Sequence, residues 1–191
     1  MVDMTSLCEL AYKWKTDKAP TEAYYSHSYT PYYFELLKGR SIKRMLEFGL
    51  GVPEEMSPPG YISGASHRMW QEYLPETEIY ALDIREDLLL NEDHIKSFHC
   101  DQSSETSLRS AANLIGGKLD FIVDDGSHMW DTQVLSAKVF VPLLNPNGVY
   151  VIEDVYVDFV DRIHAALPFK YTIKVFNKSM CDDRLIVIQG E

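Results

Sequence analysis

Two stretches concentrate groups that could do chemistry. Phe121-Ile-Val-Asp-Asp-Gly-Ser-His128 and Val149-Tyr-Val-Ile-Glu-Asp154 each begin as an apolar run, and each ends in adjacent carboxylates. An apolar, β-branched run closed by charge or glycine reads as a buried strand of a parallel sheet. In open α/β sheets, ligands bind beyond the carboxyl ends of the strands. Asp124, Asp125, Glu153, Asp154 and His128 should therefore gather at one rim. Carboxylates crowded together repel and raise one another's pKa values. A positive group is required among them, and a hard divalent cation is the simplest candidate for oxygen donors.

The elements that must position these groups follow from periodicity. Leu7, Leu10, Ala11 and Trp14 have the i, i+3, i+4, i+7 spacing of an amphipathic helix. Thr30-Pro31 opens a second helix that runs to Leu37, and Lys38-Gly39 ends it. Strands are expected at 43–48, 78–83, 95–100, 119–124 and 149–152. Helices are expected at 63–73, 104–115, 129–141 and 157–167. Strand and helix alternate along this stretch, and strands joined through helices run parallel. The last two strands, 170–176 and 184–189, are joined by a short loop and read as antiparallel. The expectation is a doubly wound, Rossmann-like α/β fold with a seven-stranded sheet, mostly parallel, with one antiparallel strand near the C-terminus. Residues 1–40 would form a helical cap or lid over the site, and 41–191 the core of one compact unit.

Composition narrows the function classes. The 191 residues carry a net charge of −11, with 46% hydrophobic and 25% charged residues. There is no basic stripe for nucleic acid or an anionic membrane, and no apolar run long enough to span a bilayer. Neither partner is expected. Three scattered cysteines without a CxxC pair read as free thiols in a reducing, cytoplasmic setting.

Eight segments then occur together in one order: Lys15-Thr-Asp-Lys18, Tyr29-Thr-Pro-Tyr-Tyr33, Glu47-Phe-Gly-Leu-Gly51, Gly64-Ala-Ser-His-Arg-Met-Trp70, Tyr80-Ala-Leu-Asp-Ile84, Asp101-Gln-Ser103, Asp124-Asp-Gly-Ser-His128 and Gly148-Val-Tyr-Val-Ile-Glu-Asp154. In this order, residues 9–160 resemble the class I S-adenosylmethionine-dependent methyltransferases. They are most similar to the metal-dependent subgroup of macrolide-sugar O-methyltransferases and cephalosporin-hydroxylase-like proteins. The chain departs from that pattern in a longer proline-rich loop at 52–61 and in lacking an added N-terminal domain.

The resemblance assigns tasks. Glu47, Gly49 and Gly51 become the cradle for the methionine end of S-adenosylmethionine. Asp83 accepts the ribose hydroxyls, with a helix cap as its other reading. Asp101 and Gln102 hold the adenine, with an N-cap as theirs. Asp124 faces the cofactor, while Asp125, Glu153 and Asp154 hold Mg²⁺ or a similar hard cation. Asp124 and Asp125 could exchange these roles, and Glu153 and Asp154 could instead cap the next helix. In the resembling enzymes the histidine matching His128 is the general base, acting beside Asp125 on a metal-polarised hydroxyl. The implied function is Mg²⁺-dependent O-methylation of a small hydroxylated metabolite, a sugar or natural-product moiety. Metal-independent N-methylation and a non-catalytic binding subunit are the alternatives. Tyr24, Tyr25, Tyr29, Tyr32 and Tyr33 would fold over the site, and exposed aromatics suggest a homo-oligomer.

Overall fold

Alternation along the central strands decides what each face of the sheet carries. In the computed structural model, which describes residues 4–20, 27–56, 59–177 and 180–190, Val149 and Val151 enter one core cluster and Tyr150 and Ile152 the other. Leu185 and Val187 divide from Ile186 and Ile188 in the same way. Successive side chains of a strand point to opposite faces, so a sheet buried on both sides must be apolar at every position.

The described strands are β1 (Arg44–Phe48), β2 (Glu78–Asp83), β3 (Asn91–Glu92), β4 (Ile95–His99), β5 (Leu119–Asp124), β6 (Leu144–Ile152), β7 (Tyr171–Val175) and β8 (Arg184–Gln189). They form one eight-stranded sheet in the order β3-β4-β2-β1-β5-β6-β8-β7. The helices are α1 (Ser6–Trp14), α2 (Thr30–Leu37), α3 (Ala65–Tyr73), α4 (Glu105–Ile115), α5 (Trp130–Phe140) and α6 (Val160–Ala166). Helices α1, α2 and α3 contribute Leu7, Ala11, Tyr33 and Trp70 to the core on one face. Helices α4, α5 and α6 contribute Leu108, Phe140 and Ile163 to the other. Local signals set their ends: the Thr5 and Ser104 hydroxyls accept the N–H of Cys8 and Ser107, and Lys15 ends α1 in the left-handed conformation.

The doubly wound fold is as expected, but the strand count is eight rather than seven. The extra strand, β3, is two residues long and pairs antiparallel with β4 across the tight turn Asp93-His94. A two-residue strand shows no periodicity, so sequence pattern cannot find it. It also adds a second antiparallel strand to β8, which lies antiparallel to both β6 and β7. Between β2 and β4 the chain makes only a 3-10 turn at Glu86–Leu88 and this hairpin, so strand–helix alternation breaks there. Strand β6 begins five residues before Val149, since Leu144 already pairs with Leu119 across a bulge.

Chain direction across the sheet reverses at β1, which lies parallel between β2 and β5. This switch point is where a crevice opens above a doubly wound sheet. The first turn after β1 passes so close to β5 that a Cβ on Gly49 would lie 2.3 Å from the Asp125 carbonyl oxygen.

Candidate active site

The register of β5 and β6 brings the two acidic stretches together. Asp124 is paired with Ile152, and the N–H of Glu153 donates to the Asp124 carbonyl at 2.9 Å. Alternation then separates neighbours. Asp124 turns toward the α4–α5 face with Tyr150, while Asp125 and Glu153 turn toward the N-terminal segment.

A cavity of about 580 Å³ opens over the carboxyl ends of β1, β2, β4 and β5. Of the residues expected in the site, Gly49, Gly51, Asp83, Asp101, Gln102, Asp125, His128 and Asp154 line it. Glu47, Asp124 and Glu153 are buried and sit outside its wall. Asp124 is held from behind, its two oxygens accepting from Gln102 Nε2 at 2.6 Å and Tyr150 Oη at 2.7 Å. Burial pushes its pKa up to about 7. Glu47 lies 3.6 Å from Lys18 Nζ and 3.6 Å from His67 Nδ1, and burial pushes it up to about 7 as well. Burial pulls His67 down to about 4.

Asp83 has the geometry of an anchored acceptor. Its oxygens take the N–H of Leu50 at 2.7 Å and of Arg85 at 2.7 Å, tying β2 to the glycine turn of β1. Asp101 accepts the N–H and hydroxyl of Ser103, which lowers its pKa, and the Ser104 hydroxyl caps α4. Gln102 links three parts of the site: its amide donates to Asp124, and its oxygen accepts the N–H of Ser127 at 2.9 Å.

Across the cavity, Asp125 Oδ1 lies 3.1 Å from His128 Nε2, and Asp154 Oδ2 lies 3.7 Å from the same nitrogen. One donor atom from each of the three residues lies within 4.8 Å of the others. His128 and Asp154 both have positive φ, 55° and 52°. Such conformations are unfavourable for non-glycine residues and cluster at functional sites. Burial pulls the His128 pKa down, but the Asp125 hydrogen bond and the charges of Asp125 and Asp154 outweigh it and raise it to about 9. Asp154 is pushed up to about 6 by burial and by Asp125.

The positive charge demanded by this cluster is supplied in part by a residue to which sequence reasoning gave no task. Lys18, 2% exposed, places Nζ 2.5 Å from Asp125 Oδ2, against Glu153 Oε2, and 3.6 Å from Glu47. Burial would neutralise it, yet the three carboxylates hold its pKa well above the ordinary lysine value. Lys18 and His128 oppose the burial of Asp125 and keep that carboxyl below its usual range. The Tyr33 hydroxyl donates to Glu153 Oε1, and the Tyr29 hydroxyl to Asp154 Oδ1 at 2.8 Å. His27 lies between Asp183 (3.1 Å) and Asp154 (3.4 Å). The signal for Lys18 was the Lys15–Lys18 segment itself, combined with the requirement for a cation. Of the expected overlying tyrosines, Tyr24 and Tyr25 lie outside the described residues.

The donor set fits a hard or borderline divalent ion, with Asp125 Oδ1 and Asp154 Oδ2 as anionic oxygens on the cavity wall. Glu153 stands behind them, with Oε2 on Lys18 and Oε1 on Tyr33. The cavity also fits a nucleoside-bearing cofactor: the close glycine turn, Asp83 and Asp101 stand at successive strand ends along one wall.

No protein-family model matches the chain. It is 31% identical over 160 residues to the 8-demethyl-8-alpha-L-rhamnosyl tetracenomycin-C 2'-O-methyltransferase of Streptomyces olivaceus, which covers 82% of this chain and 39% of the relative. It is 33% identical over 133 residues to the mycinamicin VI 2''-O-methyltransferase of Micromonospora griseorubida, covering 68% and 32%. Among solved structures, the MycE methyltransferase of the mycinamycin biosynthetic pathway, in complex with Mg and SAH, superposes with a TM-score of 0.68 at 29% identity, covering 85% of this chain and 40% of that one. The chain is a homologue of these O-methyltransferases and belongs to the class I S-adenosylmethionine-dependent methyltransferases. It spans 39% and 32% of the length of the two curated relatives.

Proposed function

We propose that this chain is an S-adenosylmethionine-dependent, Mg²⁺-dependent O-methyltransferase acting on a hydroxyl of a small sugar or natural-product moiety. The observation that carries it is the convergence of Asp125 Oδ1, His128 Nε2 and Asp154 Oδ2 on the cavity also lined by Gly49, Asp83 and Asp101. The relatives' names describe O-methylation of sugars, and the solved relative carries Mg and SAH.

Gly49 and Gly51 let the β1 turn approach the cofactor's methionine end. Asp83 is pre-anchored to accept ribose hydroxyls. Asp101 and Gln102 bound the adenine end, and Asp124 and Glu47 support that wall from behind. Asp125, Glu153 and Asp154 would hold the cation, with Asp125 and Asp154 on the cavity wall. When bound, the cation would acidify the substrate hydroxyl, and the sulfonium cofactor would supply the methyl group. His128 accepts the hydroxyl proton at its imidazole, which requires the neutral ring. The carboxylate charges that raise it to about 9 are those a cation at Asp125 and Asp154 offsets. Residues 1–40 act as the cap, bringing Lys18, Tyr29 and Tyr33 onto carboxylates of the 41–191 core.

A homo-oligomer suits the open edge strand β7, which exposes Ile173 and Val175. The charge of −11 argues against nucleic acid. No helix among the described residues is long and apolar enough to cross a membrane, and the free cysteines Cys8, Cys100 and Cys181 suit a reducing cytoplasm.

The test is methyl transfer to a panel of glycosylated acceptors and to matched amines, with and without chelator. Transfer to hydroxyls that is lost in chelator and in Asp125→Ala supports the proposal. Undiminished transfer in excess chelator removes the metal, and transfer confined to amines removes the oxygen acceptor.

A further inference from the structure

We infer that β7 is the interface of a homodimer, in which two copies of this chain pair their β7 strands antiparallel about a two-fold axis at Ile173. The inference rests on the homo-oligomer proposed above and gives it an interface and a register.

Strand β7 stands at the end of the sheet, and among the described residues no strand lies beyond it. It pairs with β8 without interruption from Tyr171↔Ile188 to Val175↔Arg184, so it has no bulge, and it contains no proline. Bulges and prolines are devices that ordinarily blunt a sheet edge. The N–H of Phe176 donates to the Asp183 carbonyl at 3.1 Å, so the even-numbered residues aim their backbone groups at β8. By alternation, Tyr171, Ile173 and Val175 aim their N–H and C=O groups outward. The side chains of these three share the α6 face with Ile186 and Ile188. Ile173 and Val175 remain 37% and 44% exposed there. An open edge flanked by an apolar stripe is a template for another strand.

The edge sequence Lys170-Tyr-Thr-Ile-Lys-Val-Phe176 matches a second copy of itself. A two-fold axis at Ile173 sets Ile173 against the partner's Ile173 and Tyr171 against the partner's Val175. The three outward residues of each copy then exchange about six N–H···O=C bonds, and aromatic and β-branched side chains meet across the α6 face. On the opposite face, where Lys174 lies 5.7 Å from the Tyr32 ring centre, Lys174 meets the partner's Thr172. Lys170 meets the partner's Phe176. Charge selects this register. Centred on Lys174, the pairing would oppose Lys174 to the partner's Lys174; centred on Thr172, it would oppose Lys170 to the partner's Lys174. Like charges directly opposite destabilise a strand pair. A slip by one residue would set the apolar stripe against the polar face. The same pairing braces the cap, because Phe176 at the end of β7 packs on the Tyr29 and Tyr32 rings at 5.0 and 5.9 Å. Five residue pairs make a small interface, so the dimer is a weak one.

The test is analytical ultracentrifugation of the whole chain over a dilution series, with folding checked by circular dichroism. Wild type should self-associate with a Kd of roughly 1–100 µM. Ile173→Lys and Ile173→Glu each set like charges face to face at the axis, and each alone should associate at least roughly 30-fold more weakly. An equimolar mixture of the two sets lysine against glutamate and should restore association. Wild-type association in the single variants overturns the interface and leaves a homo-oligomer built through another face. A mixture no more associated than its components overturns the register centred on Ile173. If the Ile173 variants do not fold, Thr172→Lys decides. It places lysine against the partner's Lys174 on both sides of the axis and should weaken association by a similar factor; wild-type association there overturns the interface. Wild type that stays monomeric throughout overturns the homo-oligomer itself, together with the interface built on it.

Discussion

Substituting alanine for Gly49 tests whether the close approach of the β1 turn to β5 holds the site together. Gly49 has φ +85°, and an added Cβ would lie 2.3 Å from the Asp125 carbonyl oxygen and 3.2 Å from its carbonyl carbon. Ordinary van der Waals contact begins near 3.4 Å, so one strand end must move by 3.4 − 2.3, or 1.1 Å. The left-handed conformation costs a non-glycine residue about 1–2 kcal/mol, and overpacking against backbone adds about 1–3 kcal/mol. A loss of about 3 kcal/mol is expected, and in a chain of this size that lowers Tm by roughly 6–12 °C. Gly39 supplies the control, with φ +74° and nothing within 4 Å of an added Cβ. Gly39→Ala should cost only the conformational part, about 1–2 kcal/mol. Thermal melts of both variants, followed by calorimetric titration with S-adenosylhomocysteine, separate the two effects. Gly49→Ala should melt several degrees below Gly39→Ala and bind S-adenosylhomocysteine more weakly. Equal melting and equal affinity would refute the argument that contact with Asp125 is what requires glycine here.

Other outcomes follow from the same geometry. Tyr150→Phe removes one of two donors to the buried Asp124 carboxylate and should cost about 1–3 kcal/mol in urea denaturation; a neutral result would mean that Asp124 is not charged in the folded protein. Asp83→Ala should weaken S-adenosylhomocysteine binding roughly 10- to 100-fold, the value of a hydrogen bond to a charged acceptor, and calorimetry giving unchanged affinity would leave Asp83 as a turn-forming residue only. His67 has a folded pKa of about 4, below its ordinary 6.5, so the stability it contributes is present above pH 6.5 and declines as pH falls toward 4. Between pH 7.5 and pH 5, wild type should therefore lose about 2 kcal/mol more than His67→Gln. Identical pH profiles by chemical denaturation would show that His67 titrates normally.

Much of this organisation was legible in the residues, for identifiable reasons. A sheet buried on both faces leaves continuous apolar runs, so β1, β2, β5 and the end of β6 stood out. The two-residue β3 leaves no pattern to read. Gathering the acidic stretches at one rim followed from their places at strand ends. Their division did not, although the period of two already sends Asp124 and Asp125 to opposite faces. Asp124 stands on Tyr150 and Gln102, while Asp125 lies on the cavity wall. The cation came partly from 107 residues away in the chain. A lysine in a polar loop looks like any solvated charge until the fold buries it among carboxylates. The requirement for positive charge was legible, but the residue that meets it was not.

The most direct test of the account is a crystal structure with S-adenosylhomocysteine and Mn²⁺, the ion located by its anomalous signal. The account predicts one ion beside His128, held by carboxylates of Asp125, Glu153 and Asp154, with the nucleoside along Gly49, Asp83 and Asp101. An ion bound away from these carboxylates, or a nucleoside seated away from the β1 and β2 strand ends, would contradict it.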